Sequence, residues 1–150
     1  MPIEYQILSE VVVLFKILIV DDDEDIRELL ESIAGAYFKD QNTAEFFQVS
    51  NGLEALNSCF QQQYDLIFCD IKMPQMDGLS FLQSLRKSQS MNTDTFVILV
   101  SGFMGSVEAK NDQGLEHTYL LEKPFSANSI GMAMNIWMAL RLKDTKSISA

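Results

Sequence analysis

Four apolar runs in this chain each deliver a reactive side chain. Asp21 and Asp22 follow Lys16 to Val20, Asp70 ends the run that begins at Leu66, Ser101 follows Phe96 to Val100, and Lys123 follows shortly after Tyr119 to Leu121. Two acids beside a third form a site that repels itself and raises carboxylate pKa values unless a cation neutralises it. A hard divalent ion with oxygen ligands suits such a site. Mg²⁺ fits because it keeps several waters and takes only one or two carboxylates. A neutralised site admits a phosphate donor, and Asp70 can then act as a nucleophile that forms an acyl phosphate. The Lys123 ammonium and the Ser101 hydroxyl supply donors for the oxygens of the transferring group.

Each residue taken alone also has an ordinary structural reading. Asp70 can cap a turn built on Pro74 and Gly78, and Asp21 to Glu24 can be a solvated helix start favoured by the helix dipole. Ser101 can be a turn residue and Lys123 a surface lysine. Their joint occurrence at four strand ends is what favours chemistry.

The elements that must position them alternate strand and helix. Lys16 to Val20 reads as a buried central strand, followed by a helix over Glu24 to Phe38 with Ile26, Leu29, Leu30, Ile33 and Tyr37 at helical spacing. One of the aspartates can cap its first turn. Phe46 to Val49 is a second strand closed by the Asn51-Gly52 turn, and Leu53 to Gln62 a second helix with Leu56 and Phe60 on one face. The strand ending at Asp70 is the third, and Gly78 to Ser88 is a helix carrying Leu79, Phe81, Leu82 and Leu85. Phe96 to Val100 is a fourth strand, Ser106 to Gln113 a weak fourth helix, Tyr119 to Leu121 a fifth strand and Ser126 to Lys143 the last helix. Five such units with right-handed crossovers predict an α/β fold: a (βα)5 doubly wound, five-stranded parallel sheet. In such sheets the chemistry sits beyond the carboxyl ends of the strands, where all these side chains converge.

Composition narrows the class. A chain of 150 residues that is 47% hydrophobic suits one globular domain. Ile7 to Val20 is interrupted by Ser9, Glu10 and Lys16, so no apolar run reaches the ~20 residues of a membrane helix. The amino terminus lacks the order of a signal peptide, and a cytoplasmic location is the expectation. A net charge of −10 with 11 scattered basic residues argues against nucleic-acid binding. Cys59 and Cys69 have no zinc spacing and are expected to be buried, reduced thiols.

Taken together, Lys16-Ile-Leu-Ile-Val-Asp-Asp-Asp-Glu-Asp-Ile-Arg27, Asp65-Leu-Ile-Phe-Cys-Asp-Ile-Lys-Met-Pro-Gln-Met-Asp-Gly78, Val97-Ile-Leu-Val-Ser-Gly102 and Glu122-Lys-Pro-Phe125 resemble the receiver domain of a two-component response regulator. The resemblance frames residues 16 to 143, with 1 to 15 an N-terminal extension of uncertain form and 144 to 150 a tail. It implies the flavodoxin-like strand order 2-1-3-4-5. It makes Asp70 the phosphoacceptor, receiving its phosphoryl group from a phosphohistidine on a sensor histidine kinase or a histidine phosphotransfer protein. Asp22 becomes a direct Mg²⁺ ligand, Asp21 a ligand through water, and the backbone carbonyl of Lys72 a further ligand. Ser101 matches the switch hydroxyl and Lys123 the lysine that pairs with the phosphate, with Lys123-Pro124 expected to be cis.

One departure concerns the switch aromatic: its usual position holds Leu120, and Tyr119 sits one residue earlier, facing the opposite side of a regular strand. Either a bulge restores the tyrosine or the coupled rotation is absent. Phe103 and Lys72 are further bulky or charged neighbours of the site. No effector domain is expected after the last helix, so the signal should leave through a surface to a downstream protein. In the last helix Ile130, Met134, Trp137 and Leu140 can form the core stripe, while Met132, Ile136, Met138 and Leu142 are apolar on other faces. Two readings follow: a partner or second copy of the chain bound through the fourth helix, fifth strand and last helix, or a core helix lying beneath the N-terminal extension. Alternative functions are a phosphorylation-independent docking module and a Mg²⁺-dependent aspartyl phosphohydrolase. Against the latter, Asp70-Ile-Lys72 lacks the second acid two residues on, and against a flavodoxin-type electron carrier, the acidic loop after the first strand would repel a flavin phosphate.

Overall fold

The computed structural model describes residues 14–38, 43–102 and 115–148. Its strands are β1 (Phe15–Val20), β2 (Ala44–Val49), β3 (Leu66–Asp70), β4 (Phe96–Ser101) and β5 (Thr118–Glu122). Its helices, among the described residues, are α1 (Glu24–Tyr37), α2 (Gly52–Gln61), α3 (Gly78–Lys87) and α4 (Ala127–Ile148). The strands form one parallel sheet in the order β2-β1-β3-β4-β5, as expected. The weak helix over Ser106 to Gln113 lies outside the described residues, as does Phe103. The last helix runs to Ile148, past the expected end at Lys143.

Alternation along the strands builds two cores. Ile17 and Ile19 of β1, Leu66 and Phe68 of β3 and Ile98 and Val100 of β4 pack with Leu30 and Ala34 of α1 and Ile130, Ala133, Met134 and Trp137 of α4. Leu18, Val20, Ile67, Cys69, Val97 and Leu99 point the other way, onto Ala55 and Cys59 of α2 and Leu79, Phe81, Leu82 and Leu85 of α3. The central strands are therefore apolar on both faces because helices cover both. Both cysteines are buried, and burial pushes the Cys59 thiol up to about 12.

Some apolar side chains lie elsewhere than periodicity suggested. Leu29 and Phe60 are exposed, and the buried pair on α2 is Ala55 and Cys59, with Leu56 partly covered. On this face of the sheet the large side chains come from α3 and the small ones from α2. Leu140 is exposed as well, beside a cleft it lines with Asp65, Phe96 and Trp137, and Trp137 is the last residue of α4 in the buried core. Asn51-Gly52 opens α2: Asn51 accepts from the Glu54 amide at 2.9 Å, and Glu54 accepts from the Ser50 amide at 2.9 Å. Asn51 thus caps the helix, and Glu54 reaches one residue past the cap to Ser50, so the pairing resembles a capping box shifted by one residue.

Candidate functional site

The sheet order reverses between β1 and β3, so the crevice at their carboxyl ends is flanked by chains leaving in opposite directions. Val20 pairs with Cys69, and continuing that register sets Asp21 abreast of Asp70. Asp23 caps α1 by accepting from the Asp25 amide at 3.0 Å, which fixes the path of the acidic loop. Asp21 is drawn inward, with its Oδ1 accepting from the Asp23 amide at 2.9 Å. Asp22 is left exposed above it.

Carboxylate oxygens of Asp21, Asp22 and Asp70 all lie within 4.8 Å of one another. Lys123 approaches from β5, its Nζ 3.3 Å from Asp70 Oδ1 and 3.8 Å from Asp21 Oδ2. The backbone amide of Lys123 donates to the carbonyl of Ser101 at 2.7 Å, so β4 sets where the lysine begins. Ser101 is itself buried at the end of β4. The Lys123-Pro124 bond is cis, as the resemblance implied.

One lysine does not neutralise this site. Burial first, and then the nearby Asp70 charge, raise the Asp21 pKa to about 6 against the Asp23 amide and Lys123, which lower it. Burial likewise raises the Asp70 carboxyl, with Lys123 opposing. Asp21 Oδ2 is buried and lacks a hydrogen-bond donor. A buried acceptor without a donor costs free energy that a bound cation would relieve. The three-acid set and the orphaned oxygen thus fit a hard divalent ion.

The loop after β3 is held by backbone contacts. Gly78 donates to the Ile71 carbonyl at 2.8 Å, and Gly52 donates to the Met76 carbonyl at 3.1 Å. A Cβ on Gly78 would lie 2.2 Å from the Asp70 carbonyl oxygen, so the return of the loop against the end of β3 requires glycine there. Lys72 is exposed on this loop and shares a cleft of about 470 Å³ with Asp22, Met73, Pro74, Asp77 and Leu79.

Two further contacts bear on the site. Arg27 of α1 donates through Nη1 to the Asp21 carbonyl at 2.7 Å and through Nε to Gln48 at 3.2 Å. It was legible only as a charged residue on the polar side of a helix, since its partners are a backbone atom and a residue on another strand. The second is Tyr119. β5 pairs with β4 in regular register, Ile98 with Tyr119 and Leu99 with Leu120, so no bulge restores the aromatic. Tyr119 packs with the core under α1 and α4, and Leu120 takes the opposite face.

A doubly wound α/β domain with three acids and a lysine at its topological switch point is the class that fold and site define. The family profile of the response regulator receiver domain matches residues 17–135. The chain belongs to that family, whose members are phosphoacceptor switches of two-component signalling. It is 30% identical over 127 residues to sporulation initiation phosphotransferase F of Bacillus subtilis, covering 84% of this chain and 95% of that one. It is 30% identical over 122 residues to the probable transcriptional regulator ycf29 of Pyropia yezoensis, covering 81% of this chain but 52% of that protein. The chain thus spans about half the length of that relative. Among solved structures, a CheY-like receiver domain from Methylobacillus flagellatus superposes with a TM-score of 0.68 at 24% identity, over 83% of this chain and 98% of that one. The receiver domain of a sensor histidine kinase from Pseudomonas aeruginosa, solved with magnesium in its active-site cleft, gives 0.70 at 21% identity, over 83% and 98%. At these identities the two structures show a shared fold.

Proposed function

We propose that this chain is a phosphorylation-driven switch in which Asp70 accepts a phosphoryl group from a phosphohistidine on a sensor kinase or phosphotransfer protein. The observation that carries the reading is a buried acceptor carboxylate, Asp70, in a cluster with Asp21 and Asp22 and faced by Lys123 at 3.3 Å. Asp21, Asp22, Asp70 and the Lys72 carbonyl would hold Mg²⁺, which when bound supplies positive charge to the phosphoryl oxygens.

An Asp70 carboxylate oxygen attacks phosphorus, the bond from phosphorus to the imidazole nitrogen breaks, and that nitrogen keeps the electron pair as the histidine leaves. The raised pKa of Asp70 makes this carboxylate more basic than a solvated one. The incoming phosphoryl group brings negative charge next to Lys123, which then exchanges a carboxylate partner for phosphoryl oxygens. The Ser101 hydroxyl offers a further donor from β4. Because Tyr119 is packed under α1 and α4, the response runs through Ser101, Lys123 and the β5 backbone without a tyrosine rotating toward Ser101. Output then passes to a downstream protein or a second copy across β5 and α4, where Met132, Ile136, Leu140 and Leu142 are exposed.

Beryllofluoride, a mimic of an aspartyl phosphate, tests the switch directly. Amide chemical shifts around Asp70, Ser101 and Lys123 should move when it is added with Mg²⁺, and Asp70→Asn should abolish the change. A wild-type spectrum indifferent to both additions would end this reading and leave the docking-module alternative.

A further inference from the structure

Asp21 is tied down at three points, and one of them comes from a side chain outside the acidic cluster. Its amide donates to the Val49 carbonyl of β2 at 3.3 Å, and its Oδ1 accepts from the Asp23 amide at 2.9 Å. Its carbonyl accepts from Arg27 Nη1 at 2.7 Å. The atom left over is Oδ2, buried without a hydrogen-bond donor and 3.8 Å from Lys123 Nζ. The Asp21 carbonyl also shares one planar peptide unit with the Asp22 amide. Holding that carbonyl therefore holds the plane from which Asp22 departs, so one guanidinium orients two of the three acids.

The guanidinium is itself aimed. Arg27 Nε donates to Gln48 Oε1 of β2 at 3.2 Å, and Gln48 Nε2 donates to Glu31 Oε2. The second contact keeps the oxygen of the Gln48 amide toward the arginine, because only the amide nitrogen can donate to a carboxylate. Arg27 and Glu31 lie four residues apart on one face of α1, and Gln48 reaches them from the neighbouring strand. The planar fork of arginine can span a carbonyl on one side and an amide oxygen on the other, which a lysine ammonium does not reproduce. Charge and geometry pull in opposite directions here. A positive group beside Asp21 repels a second cation at the cluster, whereas a fixed pair of carboxylates favours one.

We propose that Arg27, anchored by Gln48 and Glu31, is a positioning residue of the divalent-cation site: it fixes the Asp21–Asp22 peptide so that both carboxylates are in place before the ion arrives. Side chains that orient metal ligands commonly set affinity without contacting the metal. The proposal rests on the metal site of the phosphoacceptor reading and adds to it a residue that acts through Asp21.

Titration of the full chain with magnesium chloride alone at constant ionic strength, followed by amide chemical shifts, gives the dissociation constant with no phosphoryl donor present. Arg27→Ala should weaken Mg²⁺ binding about tenfold, although removing a positive charge would by itself tighten it. Arg27→Lys keeps the charge and should still bind about threefold more weakly, since the fork is lost. Gln48 is exposed and uncharged, so Gln48→Ala gives a folded variant even where loss of Arg27 unfolds the chain. It should weaken binding about threefold, because the arginine loses its second anchor. An arginine that only stabilised the fold would leave the affinity of the folded molecules unchanged or tighter. Binding by Arg27→Ala as tight as wild type or tighter would therefore overturn the proposal, as would unchanged binding in Arg27→Lys or Gln48→Ala. A wild type that binds no Mg²⁺ would overturn both the proposal and the metal site beneath it, whereas normal wild-type binding with indifferent variants removes the positioning role alone.

Discussion

Strand β3 is bracketed by two aspartates, each beside a cation, and they serve opposite ends of the molecule. Asp65, just before the strand, is supplied with donors: its Oδ2 accepts from the Lys16 amide at 2.8 Å, its Oδ1 pairs with Arg141 at 2.7 Å, and its carbonyl accepts from Trp137 Nε1 at 3.1 Å. Asp70, at the other end, is more buried, stands among two further acids and shares Lys123 with Asp21. A carboxylate whose oxygens are satisfied holds structure together. One that is buried with too few donors is raised in pKa and open to a cation and an electrophile. The supply of donors, more than residue type or strand position, separates the structural acid from the proposed acceptor.

The comparison breaks most easily at its two acids. Asp70→Asn should abolish acyl-phosphate formation from acetyl phosphate while the fold persists, as shown by mass spectrometry and an unchanged circular dichroism spectrum. Asp65→Asn should do the reverse: it leaves phosphorylation within about twofold but weakens two charge-assisted contacts. Its cost is about 1–3 kcal/mol, measured by urea denaturation. Loss of phosphorylation in Asp65→Asn with normal stability would mean that the two ends are not separable in this way.

Lys123→Ala comes next. Removing the donor that faces the transferring group should slow phosphorylation by about 100-fold, read as the rate of acetyl phosphate consumption. Arg141→Ala, its counterpart at the opposite end, should cost about 1 kcal/mol of stability through the lost pair with Asp65 and the lost contact over Phe15, with phosphorylation unchanged.

The smallest of these effects is a pH dependence. Asp21 has a folded pKa of about 6 against an unfolded value near 3.8. Because the folded state binds the proton more tightly, stability without a divalent ion falls as pH rises from about 4 to about 6, and the penalty persists above that. Asp21→Asn should flatten this slope and raise the metal-free melting temperature at pH 7. Mg²⁺ competes with the same proton, so its affinity should rise with pH through about 6 in the wild type. A melting temperature that climbs over that window in metal-free buffer would contradict the electrostatics assigned to the site.

Much of this was legible in the residues. Strand ends marked by Asp21, Asp70, Ser101 and Lys123 sufficed to infer a parallel sheet with one reactive edge, because apolar runs covered on both faces leave polar groups only where the strands stop. Side-chain assignment on the helices was less legible. Leu29, Phe60 and Leu140 keep helical spacing yet face solvent, since periodicity defines a stripe but not how far around the helix the core reaches. Contacts set by tertiary approach, such as Arg27 on the Asp21 carbonyl, leave no local signature. The displaced Tyr119 was visible as an offset of one residue, and the regular β4–β5 register decided between bulge and absence.

The central claim is that Asp70, and not another acid of the cluster, takes the phosphoryl group. Borohydride trapping tests it: reduction of an acyl phosphate converts the modified aspartate to homoserine, which peptide mass spectrometry locates. After acetyl phosphate and Mg²⁺, homoserine should appear at position 70, disappear when Mg²⁺ is chelated, and be absent from Asp70→Asn. Homoserine at position 21 or 22, or none at any position, would contradict the account.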